Sequence, residues 1–296
     1  MLKIDRKYGN ILGINISSTP RSRVLTLVRS RLASKRKFYI VTPNPEIVLK
    51  AVSDKRLAKI INSADLAIAD GVGLVQAAKF LSMASPKNSF LKIPFCFFQG
   101  LWVGLATFLD KDWLFRELRP IKGREMFLEL VRLANKKGWR VFLLGGEHGE
   151  AEETAKKLQR SYKAVTFAWR EGPIFDKEGL AISAAGLNEE KEAVYAINEF
   201  QPELLFVALE TPKQEKWVSR WLPKLSIGGA MVVGGAFRYI AGQAPLPPKW
   251  MEEVGLEWVW RLITEPWRIG RVLNAWPIFP LRVFLYKITI DTPEAL

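Results

Sequence analysis

The 296 residues carry 44 lysines and arginines against 30 acidic residues, a net charge of +14, with 49% hydrophobic content. A single cysteine, Cys96, excludes an intramolecular disulfide framework, and a single histidine, His148, leaves a His-built metal site or a Ser-His-Asp triad little to work with. The basic balance calls for an acidic partner: nucleic acid, an anionic membrane surface or a phosphorylated substrate.

The N-terminus lacks the apolar core of a signal peptide, which sets the expectation of a cytoplasmic protein. Short apolar runs at 11–16, 38–42, 66–70, 140–145, 164–169, 204–209 and 230–235 read as strands. Amphipathic stretches at 46–64, 125–137, 150–162 and 189–200 fall between them. This alternation predicts an α/β fold, a Rossmann-like parallel sheet flanked by helices. The runs are nearly all apolar, as in strands buried on both faces.

Polar or glycine-rich motifs close these strands, at the edge where α/β sheets bind ligands. Thr42-Pro43-Asn44 ends the second run, offering a hydroxyl and an amide to a sugar or phosphate, or serving as turn and cap chemistry. Asp70 ends the third, before Gly71-Val72-Gly73. It reads as a base or electrostatic catalyst, or as a helix cap. Gly145-Gly146 lets backbone N–H groups approach a phosphate at a helix start, or makes a tight turn. It lacks the full dinucleotide spacing, and the neighbouring His148 reads as a first-turn residue. Pro212-Lys213-Gln214-Glu215 opens a helix whose dipole favours an anion.

Two stretches break the rhythm. In 85–118, the 17 residues from Ile93 to Leu109 carry no charge. Pro94 and Gln99-Gly100 interrupt them, which predicts a hairpin, either interfacial or re-entrant in a membrane or packed on protein. Asp110-Lys111-Asp112 reads as a polar turn. From about residue 246, five of eleven tryptophans join arginines and prolines in a helical, aromatic and basic C-terminal appendage. Its composition suits a membrane interface better than a nucleic-acid groove. The expected division is therefore a core of 1–245 and an appendage of 246–296.

Together these motifs resemble the WecG/TagA/CpsF family, glycosyltransferase family 26. The matching pieces are Thr42-x-Asn44-x-Glu46, Ala69-Asp70-Gly71-x-Gly73, Gly123 before a helix, Leu143-Leu144-Gly145-Gly146, Pro212-Lys213-Gln214-Glu215, Val233-Gly234-Gly235-Ala236-Phe237, and Gly255-Leu256-Glu257-Trp258-x-x-Arg261-Leu262-x-x-Glu265-Pro266-x-Arg268. The resemblance implies inverting transfer, without a metal or other cofactor, of a hexose or N-acetylhexosamine such as N-acetylmannosamine. The donor would be a UDP-sugar and the acceptor a polyprenyl-diphosphate-linked sugar at the cytoplasmic face of the membrane.

By the same resemblance Asp70 is the general base and Thr42 and Asn44 line its pocket. Gln214 meets the donor, and Arg261, Arg268 and Arg271 of the membrane-associating appendage reach the active site. Lys213, Gly71, Gly73, Gly145, Gly146, Gly234 and Gly235 complete the expected donor-binding set. The family's self-association implies a homo-oligomer, and no nucleic-acid partner is expected. The chain departs from the family at Glu210-Thr211 (commonly a glycine), Arg238 (commonly Asp), Leu246 (commonly Arg) and Pro120 (commonly Arg, with Arg119 adjacent). These departures leave open a catalytically altered relative that binds lipid-linked sugar or scaffolds other enzymes.

Overall fold

The computed structural model describes residues 8–147, 149–253 and 255–289. His148 and the side chain of Arg268, both singled out above, lie outside the described residues. The first expected strand is instead a hairpin, β1 (Tyr8–Ile11) and β2 (Ile14–Ser17), paired antiparallel apart from the main sheet. Leu12 and Gly13 both take positive φ at its tip (53° and 84°), the geometry of a two-residue hairpin turn.

After α1 (Arg21–Ala33) come β3 (Phe38–Val41), α2 (Pro45–Ser53), α3 (Lys55–Ser63), β4 (Leu66–Ala67) and α4 (Val72–Ser82). The expected helix 46–64 is two helices, because Asp54 leaves helical geometry and its carboxylate caps α3 through the Leu57 N–H at 2.9 Å. The central stretch holds α5 (Ser89–Leu109), α6 (Lys111–Leu114), α7 (Gly123–Lys137), β5 (Arg140–Gly145), α8 (Glu150–Ser161) and β6 (Thr166–Arg170). Then follow α9 (Ala184–Phe200), β7 (Leu204–Ala208), α10 (Lys213–Trp221), β8 (Gly229–Val232) and α11 (Ala236–Ala241).

The six strands β3–β8 form one parallel sheet in the order β4-β3-β8-β7-β5-β6. Successive residues of β3 point to opposite faces: Phe38 and Ile40 join the layer containing α1, α7, α8 and α11, while Tyr39 and Val41 join the layer containing α2, α3, α4, α9 and α10. β6 departs from the expected full burial. It is an edge strand whose residues stay half-exposed or exposed.

The chain leaves β3 toward one layer, through α2, and leaves the adjacent β8 toward the other, through α11. The loops therefore part at the carboxyl ends of β3 and β8. That opens the crevice in which sheets of this class hold ligands.

The expected hairpin in 85–118 is instead one helix, α5, of 21 residues. Pro94 falls early in it, and Gln99 turns inward to donate to the Ala84 carbonyl at 2.7 Å rather than interrupting the helix. Asp110 does make a polar turn, capping α6 through the Trp113 N–H.

The C-terminal stretch comprises α12 (Lys249–Glu253), α13 (Glu257–Thr264), α14 (Ile269–Leu273) and α15 (Phe279–Thr289), with short 3-10 and π turns at its prolines. It folds back on the rest of the chain. Phe279, Val283 and Lys287, spaced at i, i+4 and i+8, bury one stripe of α15 against α4 and α5. Lys287 reaches inward to the Phe80 carbonyl and to Gln99 Oε1 at 2.8 Å. Burial lowers its pKa to about 8.

Candidate active site

Asp70 stands just beyond β4. Its N–H donates to the Pro43 carbonyl at 2.8 Å, which ties the tips of β4 and β3 together. Its carboxylate Oδ1 accepts the Gly123 N–H at 3.3 Å, at the N-terminus of α7. Gly123 is wedged against Thr42: a Cβ there would lie 3.3 Å from Thr42 Oγ1. Thr42 in turn donates to the Val232 carbonyl at the end of β8, at 3.3 Å. Asp70, Thr42 and the start of α7 thus meet at the crevice.

Asn44 caps α2, its Oδ1 accepting the Ile47 N–H at 3.0 Å, so both its cap and its place at the strand tip are realised. Among the described residues nothing engages its amide nitrogen. Gly73 packs on Pro45, while an added Cβ at Gly71, Gly234 or Gly235 would meet nothing within 4 Å. Those three glycines border open space, and Gly71 holds a φ of 101° that L side chains rarely adopt.

Burial pushes two carboxyls well above the usual range, Asp70 at the crevice and Glu215 on α10, the latter to about 7. The Asp70 pKa rises to about 6, against the opposing pull of Arg261, with Glu257 pushing it further up. Arg261 is exposed to solvent at the cleft, where its charge interacts with Tyr239, Asp70, Glu257 and Glu265. Its guanidinium lies 5.9 Å from the centre of the Tyr239 ring, and Arg124 approaches the same ring at 5.3 Å.

Ion pairs hold the tail over this cleft. Lys122 bridges Glu252 at 3.0 Å and Glu257 at 2.5 Å, and Arg124 bridges Glu252 at 3.0 Å. Arg271 binds both oxygens of Glu46, at 2.9 and 3.2 Å, two residues beyond Asn44. Glu46 also accepts from Lys50, and the two cations hold its carboxyl below the usual range despite its burial.

Gln214 is 3% exposed and clasps two motifs. Its carbonyl accepts the Gly234 N–H at 3.1 Å, and its amide donates to Glu215 at 2.9 Å. It therefore fixes the glycine turn after β8 against α10. The neighbouring Lys213 pairs with Glu210 at 3.2 Å. Arg238 pairs with Glu265 of the tail at 2.7 Å and stands 4.0 Å from Glu150, while Leu246 is exposed.

Gly145 lies beyond β7 from this cluster, and its packing alone demands glycine. Its φ is 97°, and a Cβ would sit 2.7 Å from the Ala208 carbonyl oxygen. Gly145→Ala is expected to cost about 2–4 kcal/mol, read as a lowered denaturant midpoint at unchanged slope.

Sequence reasoning passed over Lys122, Tyr239 and Glu257. Glu257 stands inside the Gly255–Arg268 motif and Lys122 directly precedes Gly123, so proximity to a motif was the available signal for both.

The profile described as the Glycosyl transferase WecG/TagA/CpsF family matches residues 9–91 and 112–292. The chain belongs to this family. It is therefore a glycosyltransferase, and the matched segments leave out 92–111, most of α5. Among similar curated proteins are the N-acetylglucosaminyldiphosphoundecaprenol N-acetyl-beta-D-mannosaminyltransferases of Staphylococcus aureus strains NCTC 8325 / PS 47 and COL. Each is 27% identical over 281 residues, covering 94% of this chain and 91% of the relative. The family glycosyltransferase described here thus aligns with those enzymes over nearly its full length.

Proposed function

We propose that this family member transfers an N-acetylhexosamine, of the N-acetylmannosamine class, from a UDP-sugar to a polyprenyl-diphosphate-linked sugar, with inversion. The observation that carries this reading is Asp70: a strand-end carboxylate in the β3–β8 crevice, raised to about pKa 6 and faced by Arg261. A base of that strength is mostly ionised at neutral pH yet accepts a proton more readily than an ordinary aspartate.

In the proposed reaction the acceptor hydroxyl gives its proton to Asp70 and its oxygen attacks the anomeric carbon. The bond from that carbon to the diphosphate oxygen breaks on the opposite face, and UDP leaves with the electron pair. Arg261, with Arg268, meets the charge that develops there, and the open N-terminus of α4 at Gly71 offers backbone N–H groups to it. Arg271 fills a positioning role, holding the tail to Glu46 beside Asn44. Thr42, Asn44, Gly73, Gly234 and Gly235 shape the sugar pocket, and Gln214 fixes its glycine wall. The tail brings the pocket to the cytoplasmic membrane face, where the lipid-linked acceptor resides.

A screen of UDP-sugars with a short-chain polyprenyl-diphosphate N-acetylglucosamine acceptor tests this reading. The expected result is acceptor-dependent UDP release, fastest with UDP-N-acetylmannosamine. Binding of the lipid-linked acceptor with no UDP release from any donor would favour a non-catalytic relative instead.

A further inference from the structure

Helix α5 is built inside out. The stripe it buries carries Lys92, Gln99 and Thr107, all less than 9% exposed, together with Cys96, Val103 and Ala106. Gln99 is bonded to the Ala84 carbonyl and to Lys287, and Thr107 accepts from Gln76 at 2.6 Å. Every exposed position from Phe90 to Leu109 is apolar or glycine. Eleven large apolar side chains stand outward there, among them Phe90 at 91% and Phe98 at 68% exposure. A helix at a water boundary partitions the other way, with its polar face out.

We propose that the outward face of α5 is seated in the hydrocarbon of one membrane leaflet, as an anchor additional to the basic tail. At 100° per residue the exposed positions sweep an arc of about 200°. A partner helix, including one from a second copy of this chain, covers a stripe of roughly half that width and leaves the rest in water. A fluid apolar solvent covers the whole arc. The surface also continues onto α15, which packs along α5 and exposes Leu281 and Leu285.

By length and composition α5 could cross a bilayer. Its buried stripe runs from Lys92 to Thr107, about 22 Å at 1.5 Å per residue, against the rest of the protein. A spanning pose would carry α4, whose Phe80 lies beside Gly100 at the middle of α5, toward the bilayer centre. The embedding is therefore monotopic. Thr107 also borders Gly255, which in turn packs on Val72 at the start of α4, two residues from Asp70. Seating α5 in the leaflet thus holds the Asp70 cleft at the membrane surface. The choice of lipid as occupant rests on the lipid-linked acceptor proposed above.

The test is flotation of the full chain with vesicles of pure phosphatidylcholine at about 1 M salt, where the Debye length is about 3 Å and charge attraction is suppressed. The parent chain is expected to float. The combined variant F97Q/F98Q/L101Q/L105Q is expected to lower the bound fraction about tenfold or more, while Arg282→Gln leaves it unchanged. In a second variant, Phe98→Cys carries a polarity-sensitive fluorophore, with Cys96 buried and unlabelled. Its emission is expected to shift blue on adding vesicles and to be quenched by acyl-chain bromine. Failure of the parent to float, undiminished flotation of the combined variant, or an unmoved fluorophore would each overturn the proposal. So would conversion of a dimer to a monomer by the combined variant with flotation intact. None of these readouts depends on sugar transfer, so this proposal and the transferase reading fail separately.

Discussion

Asp70→Asn is expected to lower kcat by about 10²–10⁴-fold while leaving the donor KM within a few-fold. The amide keeps the size of the carboxylate and can still accept the Gly123 N–H, so the pocket is preserved while the proton acceptor is lost. The same substitution is expected to stabilise the fold at neutral pH. The folded-state pKa of Asp70, about 6, lies above its ordinary 3.8, so the folded chain binds this proton more tightly than the unfolded chain. Stability from this group is therefore full below about pH 4 and declines as pH rises toward 6. Asparagine has no such decline. With partial solvent access to the carboxylate, the gain at pH 8 is about 1–2 kcal/mol, a Tm increase of a few degrees. An unchanged kcat would sink the base assignment, and a lower Tm would sink the account of its raised pKa.

Arg261→Gln is the second large effect. Loss of a cation at the leaving group is expected to reduce kcat/KM by about 10²–10³-fold. The pH profile separates this from simple damage to the tail. Arg261 holds the Asp70 pKa down, so its removal raises that pKa and moves the acidic limb of kcat/KM to higher pH. Glu257 acts in the opposite sense, and Glu257→Gln is expected to move the limb to lower pH. Arg261→Lys keeps the charge but not the two-pronged donor geometry, so it restores the limb more fully than the rate. Limbs that stay in place in both neutral variants would mean that the titrating base is another group.

The sequence made the crevice visible because buried parallel strands read as apolar runs and their last residues break the pattern. Thr42, Asp70 and Gly234 all stand one to three positions past the strands that carry them. Local signals that compete with a run were harder to read. Leu12 takes a positive φ with nothing in its side chain to announce it, so a hairpin read as one strand. Asp54 looked like a polar position on a long helix, although its cap divides that helix in two. Gln99-Gly100 and Pro94 looked like breaks in α5, because a partner for Gln99 as distant as Lys287 leaves no trace in local pattern. The same holds for the tail over the site. Lys122, Arg124, Glu252 and Glu257 meet only in three dimensions, and separate charges along a chain do not reveal who neutralises whom.

The pairing of Arg238 with Glu265 bears on how tails can be exchanged between relatives. This chain carries a cation on α11 and the partner acid on the tail. An acid at position 238 would stand against Glu265 and Glu150. That single step creates an electrostatic mismatch at the joint between α11 and the tail. Positions 238 and 265 therefore form an epistatic unit, and tails exchanged between relatives should be exchanged together with the residue at 238.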